Sequence, residues 1–200
     1  MAPADQHKKV VKKAIKMKNP IEQLDCLPRH ENRQTNDGEV ISFETHWATH
    51  LSDSQSLWIF ELFRANMFEF YSQSQWGWDP ESKRTELFST TSRYVLAKNE
   101  KGEAIGYTHY RFDVDHSSPV VYCYEIQVEE AYQQKGIGTM ILQTLEKLAK
   151  STEMEKVMAT VFGFNHKSLG FFHKNDYTSD VSCPDENAGL DYLILSKRVI

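Results

Sequence analysis

The chain has 200 residues, 40% of them hydrophobic, 26% charged and 12% aromatic, with a formal net charge of −5. That balance fits one folded domain with a real core. No apolar run approaches the roughly 20 residues that cross a bilayer, and the Lys-rich start lacks the apolar stretch of a signal peptide, so the expectation is an intracellular chain without membrane association.

Charge is unevenly placed. Residues 1–20 hold six Lys and one Asp, which leaves the rest of the chain with 17 basic and 27 acidic residues, a charge of −10. A body that acidic predicts a cationic partner and no direct nucleic-acid readout. Cys26, Cys123 and Cys183 are scattered, odd in number and without a C-x-x-C pair. They read as reduced thiols, with neither a disulfide framework nor a metal site indicated.

In chain order, HKKVVKKAIKMKNP places Val10, Val11, Ala14 and Ile15 on one side of a helix that Pro20 cannot continue. It is read as a packed helix or a loose tail, with nuclear import, an anionic surface or ribosome contact as its functional readings. Residues 1–38 are expected to form this basic segment and a polar linker, and residues 39–200 the domain proper. A first strand is expected at EVISFETHW. SDSQSLWIFELFRANMFEFYSQSQ then carries Ser and Asp start signals and Leu57, Trp58, Leu62, Phe63 and Met67 on helical spacing. WGWDPESKRTELFSTTS is read as a long loop holding Trp76 and Trp78, two large aromatics that packing alone seldom places in a loop.

Three strand-like runs follow, RYVLAKN, AIGYTHYRFDVD and PVVYCYEIQV, joined by short turns and therefore antiparallel. In the third, strict alternation puts Val120, Tyr122, Tyr124, Ile126 and Val128 on one side and Val121, Cys123, Glu125 and Gln127 on the other. A carboxylate beside Cys and Val is costly unless paired or functional, so Glu125 is expected either in an ion pair across the sheet or facing a cavity as a general base. Next come a helix from about Ile137 to Lys150, a strand at KVMATVF, a short helix at HKSLGFFHKN and a last strand at GLDYLILSKRV. This order predicts an α+β fold with one mostly antiparallel sheet flanked by helices.

Between the meander and the long helix lies QQKGIGT. It lacks the spacing and the Lys of a P-loop, and no G-x-G-x-x-G follows the strand directly. The remaining design is Q/R-x-x-G-x-G/A before an amphipathic helix, which Gln133, Gln134, Lys135, Gly136, Ile137 and Gly138 match. There a pyrophosphate meets unpaired N–H groups and the positive end of the helix dipole, with no metal required.

This pattern resembles motif A of the GNAT (Gcn5-related N-acetyltransferase) superfamily, and the elements around it have the order of that fold. The resemblance implies acetyl-coenzyme A, with the backbone of Gln127, Val128 and Glu129 along its pantetheine arm, residues Lys135 to Met140 (Lys135, Gly136, Ile137, Gly138, Thr139, Met140) together with Gln133 and Gln134 around the pyrophosphate, and Asn165 facing the cofactor. The stretches YSQSQWGW, RFDVD, VVYCYEIQV, KVMATVF, FNH and LSKR are similar to the N-terminal acetyltransferase D (NatD) family along most of residues 58–198. That family acetylates the N-terminal α-amine of histones 4 and 2A, which begin Ser-Gly-Arg-Gly.

The family resemblance implies histone tails as partners, a nuclear and cytoplasmic location, and direct transfer in a ternary complex. Glu125 becomes the water-relayed base, Tyr122 and Tyr124 further catalytic-site residues, and Tyr71, Trp76, Asp113, Tyr124, Thr160 and Tyr192 the substrate contacts. Two rival functions remain: the same fold acting on lysines or small amines, and a non-catalytic module that binds a protein or chromatin surface. Cys123 has no evident His partner and is read as a buried thiol.

Overall fold

Seven strands form one sheet in a computed structural model that describes residues 3–200. They are β1 Ser42–Trp47, β2 Arg93–Lys98, β3 Ala104–Asp115, β4 Ser118–Val128, β5 Lys156–Phe162, β6 Thr178–Ser179 and β7 Tyr192–Arg198, in the order β1-β2-β3-β4-β5-β7-β6. Every pairing is antiparallel except β4 with β5. Six α-helices flank the sheet: α1 Pro3–Ile15, α2 Pro20–Gln23, α3 Asp53–Gln73, α4 Pro80–Leu87, α5 Ile137–Ser151 and α6 His166–Lys174. The α+β class and the order of the expected strands and long helices hold, while α2, α4 and β6 are elements the sequence pattern does not predict. Met1 and Ala2, at the start of the predicted basic segment, lie outside the described residues.

One face of the sheet carries α1, α2, α5 and α6. Val11, Ala14, Ile21, Leu142, Leu145, Leu148 and Phe172 meet Val121, Cys123, Val157 and Ala159 there in the largest core cluster. The basic helix α1 is thus packed through Val11 and Ala14, while Ile15, expected on the same apolar side, is 39% exposed. Its C-terminal carbonyls are capped from the sheet: the Arg93 guanidinium donates to Ile15 O and Met17 O at 2.7 and 2.8 Å.

The opposite face is covered by α3 and α4 around Ile59, Phe60, Leu62, Leu87, Tyr94, Leu96 and Tyr107. A complete capping box between Ser52 and Gln55 starts α3. Its buried face differs from the expected one: Leu57 is 58% exposed, and Ile59 and Phe60 take its place. The stretch read as a loop after α3 contains α4, begun by the Asp79 side chain accepting from Ser82 N and by Pro80 in the first turn. Trp78 packs into this core, stacked on Phe63 at 5.9 Å.

The decisive irregularity lies in β4. Glu125 pairs with His109 and Cys123 with Tyr110, so Tyr124 has no opposite residue in β3. It is a β-bulge, and it breaks the alternation. Ile126 and Val128 join the α5 face beside Ile137, Met140 and Ile141, while Glu125 and Gln127 turn to the α3–α4 face with Tyr122. The expected grouping of Glu125 and Gln127 with Cys123 is therefore wrong, because one extra residue moves every later side chain to the other face.

Candidate active site

Parallel pairing of β4 with β5 runs from Val120–Lys156 to Cys123–Ala159 and stops. Beyond that point the strands part, and two cavities meet in the opening. The smaller, about 360 Å³, lies on the α3–α4 face and is lined by Tyr71, Trp76, Asp113, Tyr122, Tyr124, Glu125 and Thr160, among others. The larger, about 1060 Å³, runs along the end of β4 to the start of α5. Met67, Ile126, Gln127, Asn165 and Ser168 line both.

In the smaller cavity, Trp76 is half exposed and lies 5.1 Å from the Phe162 ring and 5.2 Å from that of Tyr192. Tyr192 stands behind Trp76 and does not reach the cavity wall. Tyr122 and Thr160 share a 2.6 Å hydrogen bond across the gap between β4 and β5, and burial raises the Tyr122 phenol to about 12. The Tyr124 ring is stacked on His109 at 5.0 Å with the Arg111 guanidinium 4.4 Å above it. Asp113 is exposed at the rim, its carboxylate accepting from Val114 N. Cys123 points into the opposite core, where burial pushes its thiol up to about 12, the state of an inert packing residue.

Glu125 is 7% exposed. Its Oε1 lies 2.5 Å from Lys83 Nζ and its Oε2 accepts from Gln127 Nε2 at 2.8 Å. The ion pair expected across the sheet instead comes from α4, and the same carboxylate faces a cavity. Lys83 Nζ is also 2.5 Å from Glu86 Oε1 and donates to Tyr71 OH at 3.1 Å. Burial raises the Glu125 carboxyl, and Lys83 and Gln127 only partly oppose that. For Lys83, burial alone would lower the ammonium, but the charges of Glu125, Tyr71 and Glu86 outweigh it and hold the group well above its ordinary value. The two directions agree: the lysine is attracted by two carboxylates at once, whereas Glu125 sets the attraction of Lys83 against its burial and the like charge of Glu86.

Gln127, Val128, Gln133, Gln134, Gly136, Gly138, Thr139, Met140 and Asn165 all line the larger cavity. Gly136, at φ +94°, begins α5 with no side-chain cap, so the first N–H groups of the helix face that cavity without a side-chain partner. Gly138 admits the Phe171 ring, which an added Cβ would meet at 2.9 Å. Asn165 caps α6 by accepting from Ser168 N at 3.1 Å. Three expected residues sit elsewhere: Ile137 is buried in the core, Lys135 pairs with Asp37 at 2.7 Å, and the Glu129 side chain accepts from Trp58 Nε1 while its N–H donates to Ile105 O. A helix start without a side-chain cap, beside a long cleft, suits a pyrophosphate carrying an extended arm.

Lys83 and Glu86 lie in the stretch expected as a loop, and neither they nor Asn66, whose Nδ2 donates to Gln127 Oε1 at 3.0 Å, are among the expected site residues. The Asp79-Pro80 start was the one available signal.

Residues 59–177 match the family model described as "Acetyltransferase (GNAT) family". Two curated proteins of Bacillus subtilis (strain 168) are similar: "Uncharacterized N-acetyltransferase YdgE", 28% identical over 40% of this chain and 50% of its own, and "Uncharacterized protein YdhI", 31% identical over 40% and 47%. The chain spans about half the length of the curated relatives it matches. Among solved structures, a putative GNAT acetyltransferase of Desulfovibrio desulfuricans has TM-score 0.62 at 15% identity, over 80% of this chain and 100% of its own. PaiA N-acetyltransferase of Thermoplasma acidophilum with coenzyme A has 0.56 at 17%, over 78% and 99%. Arabidopsis thaliana NAA60 with a bisubstrate analogue has 0.57 at 13%, over 80% and 98%. At these identities the structures share the fold alone.

Proposed function

The chain belongs to the acetyltransferase (GNAT) family, whose co-substrate is acetyl-coenzyme A, and from that premise we propose that it acetylates the N-terminal α-amine of a protein chain, the Ser-Gly-Arg-Gly end of histone types 4 and 2A. The observation that carries this reading is Glu125, a buried carboxylate set by a β-bulge in the wall of the smaller cavity, one residue from Ile126 and Gln127, which line both cavities. The larger cavity fits the cofactor, with Val128 and Gln127 along the arm and the start of α5 at the pyrophosphate. Bound there, acetyl-coenzyme A supplies an activated acetyl thioester.

The smaller cavity receives the amine. At pH 7 the free base of an α-amine, with an ordinary pKa near ~8, costs about 1 kcal/mol, against roughly 4 to 5 for a lysine near ~10.4. A carboxylate raised by burial is a sufficient base for the first and a poor one for the second. Glu125 takes the amine proton through a water, while Tyr71, Trp76, Tyr122 and Tyr124 leave room for a small first residue only. The carboxylates of Asp113, Asp115 and Glu86 around the cavity suit a cationic third residue, which a carboxylate can grip bidentately. The resemblance of YSQSQWGW, RFDVD and VVYCYE to the NatD family supports the histone end over other α-amines.

The test is acetyl transfer to peptides beginning Ser-Gly-Arg-Gly, Met, Ala or acetyl-Ser, with the product mapped by mass spectrometry. Acetyl on the Ser nitrogen alone is expected. Equal labelling of the acetyl-Ser peptide would mean a lysine acetyltransferase, and no turnover on any peptide would favour a binding module.

A further inference from the structure

We propose that Lys83 is a positioning residue for the reaction: its ammonium, divided between Glu125 and Glu86, keeps Glu125 a carboxylate and aims it into the smaller cavity. The inference rests on Glu125 being the base and goes beyond it by assigning the group that makes it one.

The geometry carries the assignment. Lys83 is 6% exposed and its Nζ reaches Glu125 Oε1 and Glu86 Oε1 at 2.5 Å each, with Tyr71 OH at 3.1 Å. Its surroundings are aromatic, with the Phe63 and Tyr71 ring centroids 4.7 and 5.4 Å from Nζ. An apolar side chain of similar length would pack in such a place at less cost than a buried cation. The cation is needed because, among the described residues, Glu125 has no other charged donor: its second oxygen accepts from the neutral Gln127 amide.

The other groups that face Glu125 do not substitute for it. From α3 comes Tyr71, from β2 Tyr94, and from β3 Tyr107 and His109, while Cys123 of its own strand packs on the other face. Burial, helped by Arg111 and Lys83, holds His109 well below its ordinary value and so neutral. Arg111 is turned away, donating from Nε to His109 Nε2 and from its terminal nitrogen to Glu86 O. Glu86 opposes Lys83 through its own negative charge, which pushes the Glu125 carboxyl up. It is also the more exposed partner, its side chain at 37%, so the balance between the two carboxylates is set at a position that tolerates change.

The experiment is the pH dependence of kcat/KM, whose acid limb reports the base in the free enzyme, for Lys83→Met, Lys83→Arg and Glu86→Gln. Lys83→Met should move the limb upward by about one pH unit or more, and Glu86→Gln should move it downward, since the like charge beside Glu125 is then gone. Lys83→Arg should restore most of the wild-type position. Carbon-13 NMR of the Glu125 carboxyl in wild type, Glu86→Gln and Lys83→Arg reads the same shifts without turnover. Opposite displacements support the proposal. A limb and a carboxyl titration that stay put, or move together in one direction, overturn it, because a structural lysine lowers the rate equally at every pH. Glu125→Gln separates the two levels of inference: if it leaves the limb in place, Glu125 is not the base and the reading of the site falls. If it abolishes the limb while the Lys83 and Glu86 variants leave it unmoved, only the role of Lys83 falls.

Discussion

Two buried lysine–carboxylate pairs sit on this sheet, and their surroundings send their carboxyl groups in opposite directions. Lys156 Nζ lies 2.6 Å from Asp180 Oδ2, with the two side chains 6% and 3% exposed. The other oxygen of Asp180 accepts from Ser182 N at 2.9 Å and from Ser182 Oγ at 2.7 Å. Burial alone would raise that carboxyl, but Lys156 and the serine donors outweigh it and hold it far below the carboxylate range. Glu125 has one lysine and one amide as donors, with Glu86 as a neighbouring like charge, and burial leaves it raised. Burial of an ion pair therefore says little about its use. The number of donors per oxygen separates a pair that staples the segment after β6 to β5 from one that retains room for a proton.

The largest expected effect breaks the comparison by removing one carboxylate at a time. Glu125→Gln should lower kcat/KM about 10²- to 10⁴-fold and leave the thermal midpoint where it was or higher, since an incompletely paired buried charge is gone. Asp180→Asn should do the reverse, losing stability while each folded molecule keeps its rate. Steady-state kinetics beside thermal unfolding of both variants checks this. A Glu125→Gln protein at full rate would return the pair to a purely structural role.

Removing the other partner sharpens the contrast. Lys156→Met leaves Asp180 buried and uncompensated, for an expected loss of about 3 to 5 kcal/mol by urea unfolding. The pair Lys156→Met with Asp180→Leu should recover most of that loss, as expected where the desolvation of two charges nearly cancels their attraction.

Acid separates the pairs by sign. Asp180 is depressed in the folded state, so it contributes stability above its unfolded pKa of ~3.9, and that contribution is lost as pH falls toward the folded value. Glu125 is raised, so the folded state binds its proton more tightly. Its contribution grows as pH falls from the raised value to the unfolded ~4.3. Thermal midpoints across this range, plotted as wild type minus variant, should rise with pH for Asp180→Asn and fall with pH for Glu125→Gln. Slopes of the same sign would mean that the two carboxylates differ only in degree.

What sequence could reveal follows the range of the interactions involved. The meander, α5 and the QQKGIGT turn were legible because short connections, helical periodicity and a glycine at φ +94° are written locally. The helix α4 was not, since eight residues bury only Lys83 and Leu87 and give no stripe to read. The bulge at Tyr124 was invisible for a deeper reason: it exists only in the register of β4 against β3, and no alternation within one strand encodes it. Glu125 was therefore picked out with the wrong neighbours. Tyr122, Thr160 and Trp76 are identifiable by resemblance alone, and Lys83, the partner that completes the site, lies in a stretch whose sequence pattern predicts a loop.

The smallest expected effect tests the donor count itself. Ser182→Ala deletes one donor to Asp180 Oδ1 and leaves the backbone N–H of residue 182, so about 1 kcal/mol should go, roughly 2 to 4 °C in thermal midpoint. The kcat/KM profile should not move, because residue 182 is remote from Glu125 in the fold and both of its bonds end on Asp180. Gln127→Leu deletes the one donor to Glu125 Oε2, and there the acid limb should rise with little change in midpoint. Asn66 Nδ2 also donates to Val128 O at 3.2 Å, which keeps α3 tied to β4 when the Gln127 amide is gone. If Ser182→Ala shifted the limb or Gln127→Leu shifted only the midpoint, donor count would not be what divides the two pairs. Their difference would then have to come from the cavity that opens beside Glu125 alone.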